Sequence, residues 1–377
     1  MAAWLAAWLA AVQPSAHCGR ARTGYKRSQC GAGGGLLGMR WRWWTAVLIL
    51  ASVAAGARAQ DSPEPPASLR YFRIATGSAA GTYFPVGIAL AVAISSPPGS
   101  RTCLRGGSCG VPGLVAVANT SDGSVANVDA VAGGVADSGL AQADVIFWAY
   151  NGEGMYARRP RLEGLRVLAN LYPEDVHLVV RRGAGIAQVR DLAGKRVSID
   201  KPGSGTRINA ELILSTYGVR LNQLRAQEVD PSEAVDLFIK GELDAFFFIA
   251  GFPAAAVSDL ARLGLIDLVP ISGRPADAAV RRHRFFSYNA IPAGTYEGIN
   301  VAVATLSIGA QWVVPASANE ELVYQIVKAL WHPRSRMFLD TGHAKARMIQ
   351  LETALAGVST PLHPGAERFY REMGMQP

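Results

Sequence analysis

Two short loops carry most of the residues that could hold a ligand. Gly77-Ser-Ala-Ala-Gly-Thr-Tyr-Phe-Pro-Val-Gly87 follows a strand-like run, Tyr71–Thr76, and leads into a helical pattern from Gly87 to Ile94. Asp200-Lys-Pro-Gly-Ser-Gly-Thr206 follows strand-like Arg196–Ile199 and leads into a helix over Arg207–Tyr217. A helix start leaves backbone N–H groups without intrahelical partners, and its dipole favours negative charge by roughly 0.3–1 kcal/mol. Small and hydroxyl-bearing residues at such a start let an anion approach the backbone. If both starts face one cleft, two sets of N–H groups converge on one anionic ligand lying between two lobes.

Other chemistries find less support. Gly203-Ser-Gly-Thr206 lacks the Lys that a P-loop sets against phosphates, and Gly194-Lys195 is followed by Arg196. Ser78 directly follows Gly77, so the Gly-x-Ser-x-Gly spacing of a nucleophile turn is missing. The six His are scattered and form neither HExxH nor a zinc-like cluster. His177 lies in an apolar strand and reads as a satisfied core or hinge residue. Glu174-Asp175 beside Pro173 reads as a solvated turn. No catalytic residue, cofactor or metal is expected. Asp244–Pro253 reads as a buried central strand with a turn, and Phe248 or Phe252 could also wall a cleft. Gln142, at the carboxyl end of strand Ser138–Ala141, suits either a ligand hydrogen bond or a helix cap.

The elements that must position these residues alternate in type. Strand candidates are Tyr71–Thr76, Leu114–Ala118, Ser138–Ala141, Leu165–Leu171, His177–Val180, Arg196–Ile199, Ala245–Ile249, Leu268–Pro270 and the surroundings of Val313–Val314. Helical patterns follow most of them, which predicts an α/β protein with largely parallel sheets. Asp230-Pro-Ser-Glu233 and Ser317-Ala-Asn-Glu320 are helix-start signals.

Composition sets the compartment. Met39-Arg-Trp-Arg-Trp-Trp44, the apolar Thr45–Gly56 and Ala57-Arg58-Ala59 have the three regions of a signal peptide, with cleavage expected after Ala59 and a start expected at Met39. The stretch 1–38 then reads as an over-extended gene start, and 60–69 as a linker. Seven of the 37 basic residues and none of the 29 acids precede residue 60, leaving 30 bases against 29 acids in the mature chain. A nearly neutral chain with no nucleic-acid motif argues against nucleic acid as partner. Cys103 and Cys109 are the two Cys left after processing; a local disulfide is expected in an oxidising compartment, with free thiols the alternative. A metal reading would need further Cys or His nearby in sequence, and none is there.

Assembled in order, "IATGSAAGTYFPVGIALA", "GSVANVDAVAGGVADSGLAQADV", "NLYPEDVHLVVR", "DLAGKRVSIDKPGSGT", "SEAVDLFIKGELDAFFFIAGFP", "IPAGTYEG" and "PLHPGAERFYRE" resemble the TAXI family of TRAP-transporter substrate-binding proteins. The resemblance extends over nearly the whole mature chain. It implies a two-lobed periplasmic binding protein, type II-like, that delivers a small anionic solute, a glutamate-like amino acid or a dicarboxylate, to a sodium-driven membrane permease. It implies a monomer and no enzyme. Lobe one would combine residues 70–180 with 306–377, and lobe two would be 181–305. Crossings would lie near "HLVVRR" and "VAVATLSIGAQWVVP". Carried over residue by residue, the ligand contacts are Thr76, Gly77, Ser78 and Tyr83 from the first loop, Ser124 and Gln142, then Ser204, Gly205 and Thr206 from the second, with Phe252 beside them. Lys201 stands where Pro is common and would either meet a carboxylate or remain a solvated loop residue. Ala75, Ala79 and Ala80 replace small positions of a loop that is richer in Gly in the family. A receptor serving a sensor kinase, or an exported enzyme on the same scaffold, remains the alternative.

Overall fold

In the computed structural model, residues 68–376 are described. The signal-peptide and start-site expectations, with most of the linker, lie outside them.

Among the described residues, twelve strands form one ten-stranded sheet and a small pair. The first group is parallel: β1 (Arg70–Ala75) lies between β4 (Leu114–Asn119) and β5 (Ser138–Gln142). The second group sets β7 (Arg196–Ser198) between β8 (Arg225–Gln227) and β9 (Ala245–Ala250), also parallel. Two long strands join the groups. They are β6 (Leu165–Arg181) and β12 (Val303–Pro315), antiparallel to each other, to β5 and to β9. β10 (Ile266–Val269) and β11 (Ser287–Ile291) add to β6 and β12, and β2 (Ser95–Ser96) pairs with β3 (Val111–Pro112). The sheet is therefore mixed, not largely parallel, because the two long strands enter with reversed direction. The order β4-β1-β5-β12-β6-β9-β7-β8 follows.

One strand changes the reading most. Leu165–Leu171 and His177–Val180 are parts of a single strand, and the turn expected at Pro173 does not occur. Pro173 faces Gly309 next to a register shift at Ala310/Gln311, an irregularity that accommodates a residue without an N–H. Glu174 and Asp175 are consequently buried, at 2% and 0% exposure, and not solvated.

Helices cover both sheet faces, as buried parallel strands require. On one side of the first group pack α1 (Tyr83–Ile94), α8 (Glu320–Leu330) and α10 (Pro364–Glu372), around Trp312 and Leu90. Its other side is filled by α2 (Ser124–Ala132) and α3 (Ala143–Asn151), around Val128 and Ile146. The second group has α4 (Gly205–Thr216) and α7 (Gly273–Arg282) on one face, and α5 (Pro231–Ile239) and α6 (Ala255–Arg262) on the other. α9 (Arg336–Thr341) lies against α1. Asp230 caps α5 by accepting from Ser232 and Glu233 N–H at 2.9 and 3.0 Å, with Pro231 at the first helical position, as its sequence predicts. For α8 the cap is Asn319, accepting from Leu322 N–H at 2.9 Å, two residues later than the Ser317 signal suggests. No helix among the described residues is long and apolar enough to cross a membrane.

Cys103 and Cys109 are bonded to each other at 2.05 Å. The fold does bring a His to them, His332, whose Nε2 is 3.6 Å from Cys103 Sγ, although none is near in sequence. With the sulfurs joined, no thiolate is offered to a metal.

Candidate functional site

The carboxyl ends of the parallel strands deliver their loops to one cavity of about 350 Å³. Gly77–Tyr83 comes after β1, Thr120–Ser124 after β4, Gln142 ends β5, Asp200–Thr206 follows β7, Asp230 follows β8, and Phe248–Ala250 ends β9. Convergence at strand carboxyl ends is where open α/β sheets place ligand sites. Glu174 forms the floor, from the middle of β6.

Nine of the eleven expected contact residues line this cavity: Gly77, Ser78, Tyr83, Ser124, Gln142, Lys201, Ser204, Gly205 and Thr206. Thr76 does not. It is fully buried and donates its hydroxyl to the Asn119 carbonyl at 2.6 Å, tying β1 to β4. Phe252 also lies elsewhere, with the Lys345 ammonium 3.7 Å from its ring centroid, while Phe248 supplies the aromatic wall.

One wall is held by a chain of hydrogen bonds. Gln142 N–H donates to Ser124 Oγ at 3.1 Å, Ser124 Oγ is 3.3 Å from Tyr83 Oη, and Tyr83 donates to Glu174 Oε2 at 2.6 Å. The opposite wall is a loop under conformational constraint. Asp200 takes φ 71°, in the left-handed region that side chains other than Gly, Asn and Asp seldom enter. Its carboxylate accepts from Lys201 N–H and Ser204 Oγ, both at 2.7 Å, which holds the turn closed. Ser204 Oγ also accepts from Thr206 N–H at 3.0 Å and so caps α4. Thr206 Oγ1 accepts from Ile249 N–H at 3.1 Å, which leaves its proton for another partner. Gly205 is required by close approach: a Cβ there would collide with the Gln142 side-chain carbonyl and lie 2.9 Å from Ser124 Oγ.

The walls touch each other. Val125 and Ala126 N–H, at the start of α2, donate to the Gly203 carbonyl at 3.0 and 3.1 Å. Thr82 Oγ1 donates to Gly251 O at 2.8 Å, Ala256 N–H to Ala80 O at 3.2 Å, and the Ser78 and Ser232 hydroxyls are 3.3 Å apart. Two N–H groups at the start of α2, which is not one of the two helix starts expected to face a ligand, are therefore spent on the facing loop. The α4 start is also partly spent, on its own Ser204.

The charge of the lining was not foreseen. Asp122, Glu174, Asp200 and Asp230 face one cation, Lys201, whose Nζ is 2.8 Å from Asp230 Oδ2. Burial pushes the Glu174 carboxyl up to about 8; the Tyr83 hydrogen bond and Lys345 oppose this, while Asp175 and Asp144 add to it. Burial likewise raises Asp200 to about 6 against its bonds from Ser204 and Lys201. For Asp230 burial is outweighed by Lys201 and the helix-cap N–H groups, and it stays below its usual range. At Glu174 burial and its acidic neighbours thus favour the neutral form. Behind Gln142, Asn209 Nδ2 donates to Gln142 Oε1 at 3.0 Å and to Asp144 Oδ2 at 2.8 Å, and burial raises Asp144 to about 6.

Beneath the cavity, Asp175 turns to the other side of β6 and pairs with Lys345 at 3.1 Å, both fully buried. Asn289 donates to the same carboxylate at 2.6 Å. His177 is satisfied as expected, with Nδ1 2.9 Å from Asp175 O and Nε2 2.8 Å from Tyr296 Oη, and burial lowers it to about 4.

Sequence reasoning missed Glu174, Asp200 and Asp230 as lining residues. Asp200 directly follows the strand read over Arg196–Ile199, the same placement that singled out Gln142, whereas β8 (Arg225–Gln227), ahead of Asp230, was not read from the sequence. Glu174 carried a weaker signal: the two strand runs around it are joined without a Gly- or Asn-containing turn pair.

Solved structures with a similar chain course include three binding proteins. The alkanesulfonate-binding protein SsuA from Xanthomonas axonopodis pv. citri, bound to MOPS, is 16% identical, with 81% of this chain and 84% of that chain covered and a TM-score of 0.41. A putative phosphate ABC transporter substrate-binding protein from Clostridium perfringens, with bound phosphate, is 15% identical over 75% and 100% of the two chains, at 0.41. AbpA from Streptococcus pneumoniae, an amino acid ABC transporter substrate-binding protein bound to L-arginine, is 13% identical over 74% and 94%, also at 0.41. Likeness at this level says nothing of ligand or partner. The sequence model of the NMT1-like family matches residues 74–374, most of the chain, and the protein belongs to that family.

Proposed function

We propose that the protein is the extracytoplasmic receptor of a solute transporter, binding one small solute in the cavity between its two strand groups. The observation that carries this is the cavity itself. It is polar, built from loops of both groups, and includes Glu174 of β6, one of the two long strands that join them. Such a design binds by closure, since a ligand that touches both walls stabilises the closed arrangement. The lobe limits are those read from the sequence, 70–180 with 306–377 and 181–305, and the chain works in the periplasm after cleavage behind Ala59.

The finer reading is a TAXI-type receptor for a small anion, a glutamate-like amino acid or a dicarboxylate, serving a TRAP permease. It rests on the ordered sequence motifs. Donors facing the cavity suit a carboxylate: the Thr206 hydroxyl proton, the Ser78 hydroxyl, Lys201 Nζ and Gln142 Nε2, which meets no acceptor among the described residues. The receptor is no enzyme in this reading.

The test is a thermal-shift and calorimetry screen of L-glutamate, 2-oxoglutarate, succinate and other amino and dicarboxylic acids on protein refolded free of co-purified ligand. A saturable shift for a member of that set is expected. A response confined to neutral or cationic solutes would overturn the anion class, and none to any solute would overturn the receptor reading.

A further inference from the structure

Glu174 is a buried acid aimed into a cavity from its floor, and its two oxygens have different surroundings. Oε2 accepts from Tyr83 at 2.6 Å. For Oε1 the described residues supply no hydrogen-bond partner, although Glu174 lines the cavity. The direction of the chain behind it follows from Tyr83 donating to Oε2. A backbone N–H can only donate, so Gln142 gives its proton to Ser124 Oγ. Tyr83 gives its single proton to Glu174, so it receives the Ser124 proton over their 3.3 Å contact. Bonds aligned in this way polarise one another toward the last acceptor, Oε2. A proton on this carboxyl group therefore sits on Oε1.

We propose that Glu174 meets its ligand as a neutral carboxylic acid, with Oε1–H donating to a carboxylate or carbonyl oxygen of the solute. The inference deepens the receptor reading and rests on it. It assigns the end of the ligand at the cavity floor: an acceptor group lies there, not an ammonium. A solute anion then sits among acids without meeting an extra negative charge at the floor.

The groups around Glu174 agree with a held proton. Tyr83 of α1 and Tyr172 of β6, beside it, are held well above their ordinary range, first by burial, and so bring no charge of their own. Asp175 is its neighbour on the strand, and Asp144 stands at the start of α3. Lys345, the cation that opposes them, is bonded to Asp175 on the far side of β6. Across the cavity stand Asp122, Asp200 and the Lys201–Asp230 pair. A carboxylic acid kept neutral by an apolar or acidic setting is a known way to place a donor opposite an anion.

The experiment measures the affinity of succinate and 2-oxoglutarate, which carry no amine, by calorimetry between pH 6.5 and 9.5. Affinity is expected to be flat near neutrality and to fall, by as much as about tenfold per pH unit, once Glu174 ionises. Glu174→Gln keeps a donor facing the cavity and is expected to lose this pH dependence, whatever affinity it has at pH 7. Affinity that is independent of pH in the wild type, or that rises with pH, would overturn the inference. If neither probe binds, the anion class proposed above fails separately, and infrared titration of the unliganded protein still decides the proton. A protonated carboxyl band present at pH 7, lost toward pH 9 and absent from Glu174→Gln is expected; its absence at pH 7 in the wild type would overturn the inference.

Discussion

Replacing Glu174 with Gln tests the buried proton through stability, with no ligand present. The folded Glu174 titrates near 8, against 4.5 for an unperturbed Glu. A folded value above the unfolded one means that between those pH values the folded state binds up to one proton more than the unfolded chain. Stability then falls as pH rises, by about 1.4 kcal/mol per unit inside the window. The contribution is complete below the unfolded value and lost by the folded one. Over roughly 3.5 units the loss amounts to about 5 kcal/mol, comparable with the whole stability of a typical domain. Gln has nearly the same shape and no titration, so the variant escapes this loss. Urea unfolding of both proteins, followed by Trp fluorescence at several pH values from 5.5 to 8, isolates the effect because groups that do not interact with Glu174 cancel in the difference. The variant is expected to gain on the wild type steadily, by about 1.4 kcal/mol per unit at the steepest. A difference that is constant across the range, or that shrinks as pH rises, would refute the argument: Glu174 would then be charged in the folded protein.

Three further perturbations probe the frame around the cavity. Lys345→Met takes away the cation paired with the buried Asp175 carboxyl, which must then stay charged without it or take up a proton, and is expected to cost about 3–5 kcal/mol in urea unfolding, with Asp175→Asn in the same chain restoring much of it. Gly205→Ala drives a methyl group into Gln142 and Ser124; a loss of roughly 1–3 kcal/mol is expected, seen as a lower Tm. Ser204→Ala with Thr206→Ala removes the cap of α4, at about 1 kcal/mol, and a hydroxyl facing the cavity, so the protein should stay folded by circular dichroism while losing ligand affinity in calorimetry. Unchanged affinity would take both residues out of the site.

The loops at Gly77 and Asp200 were legible because small and hydroxyl residues after a β-rich run have a local reason to be there. The same local logic failed at Pro173. A Pro followed by two acids invites a turn, yet the strand continues, since Gly309 and a register shift on the neighbouring strand accommodate the missing N–H. That accommodation comes from β12, which no window around residue 173 contains. Phe252 was misplaced for a related reason: its partner Lys345 and the Asp175 beneath it are brought together only by the tertiary fold. Ser204 was found as a site residue, but part of its work is structural, capping a helix and fixing the strained Asp200 turn. Sequence type suggests a hydroxyl at a cleft; only geometry shows which partners already use it.

Alternation along β6 gives the two misread acids opposite tasks. Successive side chains of a strand point to opposite faces, so Glu174 and Asp175 look into different environments although both are buried at the crossing of the long strands. Asp175 receives a cation and an amide, from Lys345 and Asn289, and is the charged member that the interior can hold. Glu174 receives one hydroxyl, and its nearest charges are mostly negative. Two carboxylates so close and so dry cannot both be ionised cheaply. The pair therefore settles with the charge on the side of Lys345 and the proton on the side of the cavity. That division ties the chemistry of the cavity floor to a salt bridge behind it: removing Lys345 shifts Asp175 toward its neutral form, which relieves the repulsion that helps keep Glu174 protonated. It also removes a cation that helped Glu174 ionise. The two effects oppose each other, so the titration of Glu174 should move far less in Lys345→Met than the global stability does.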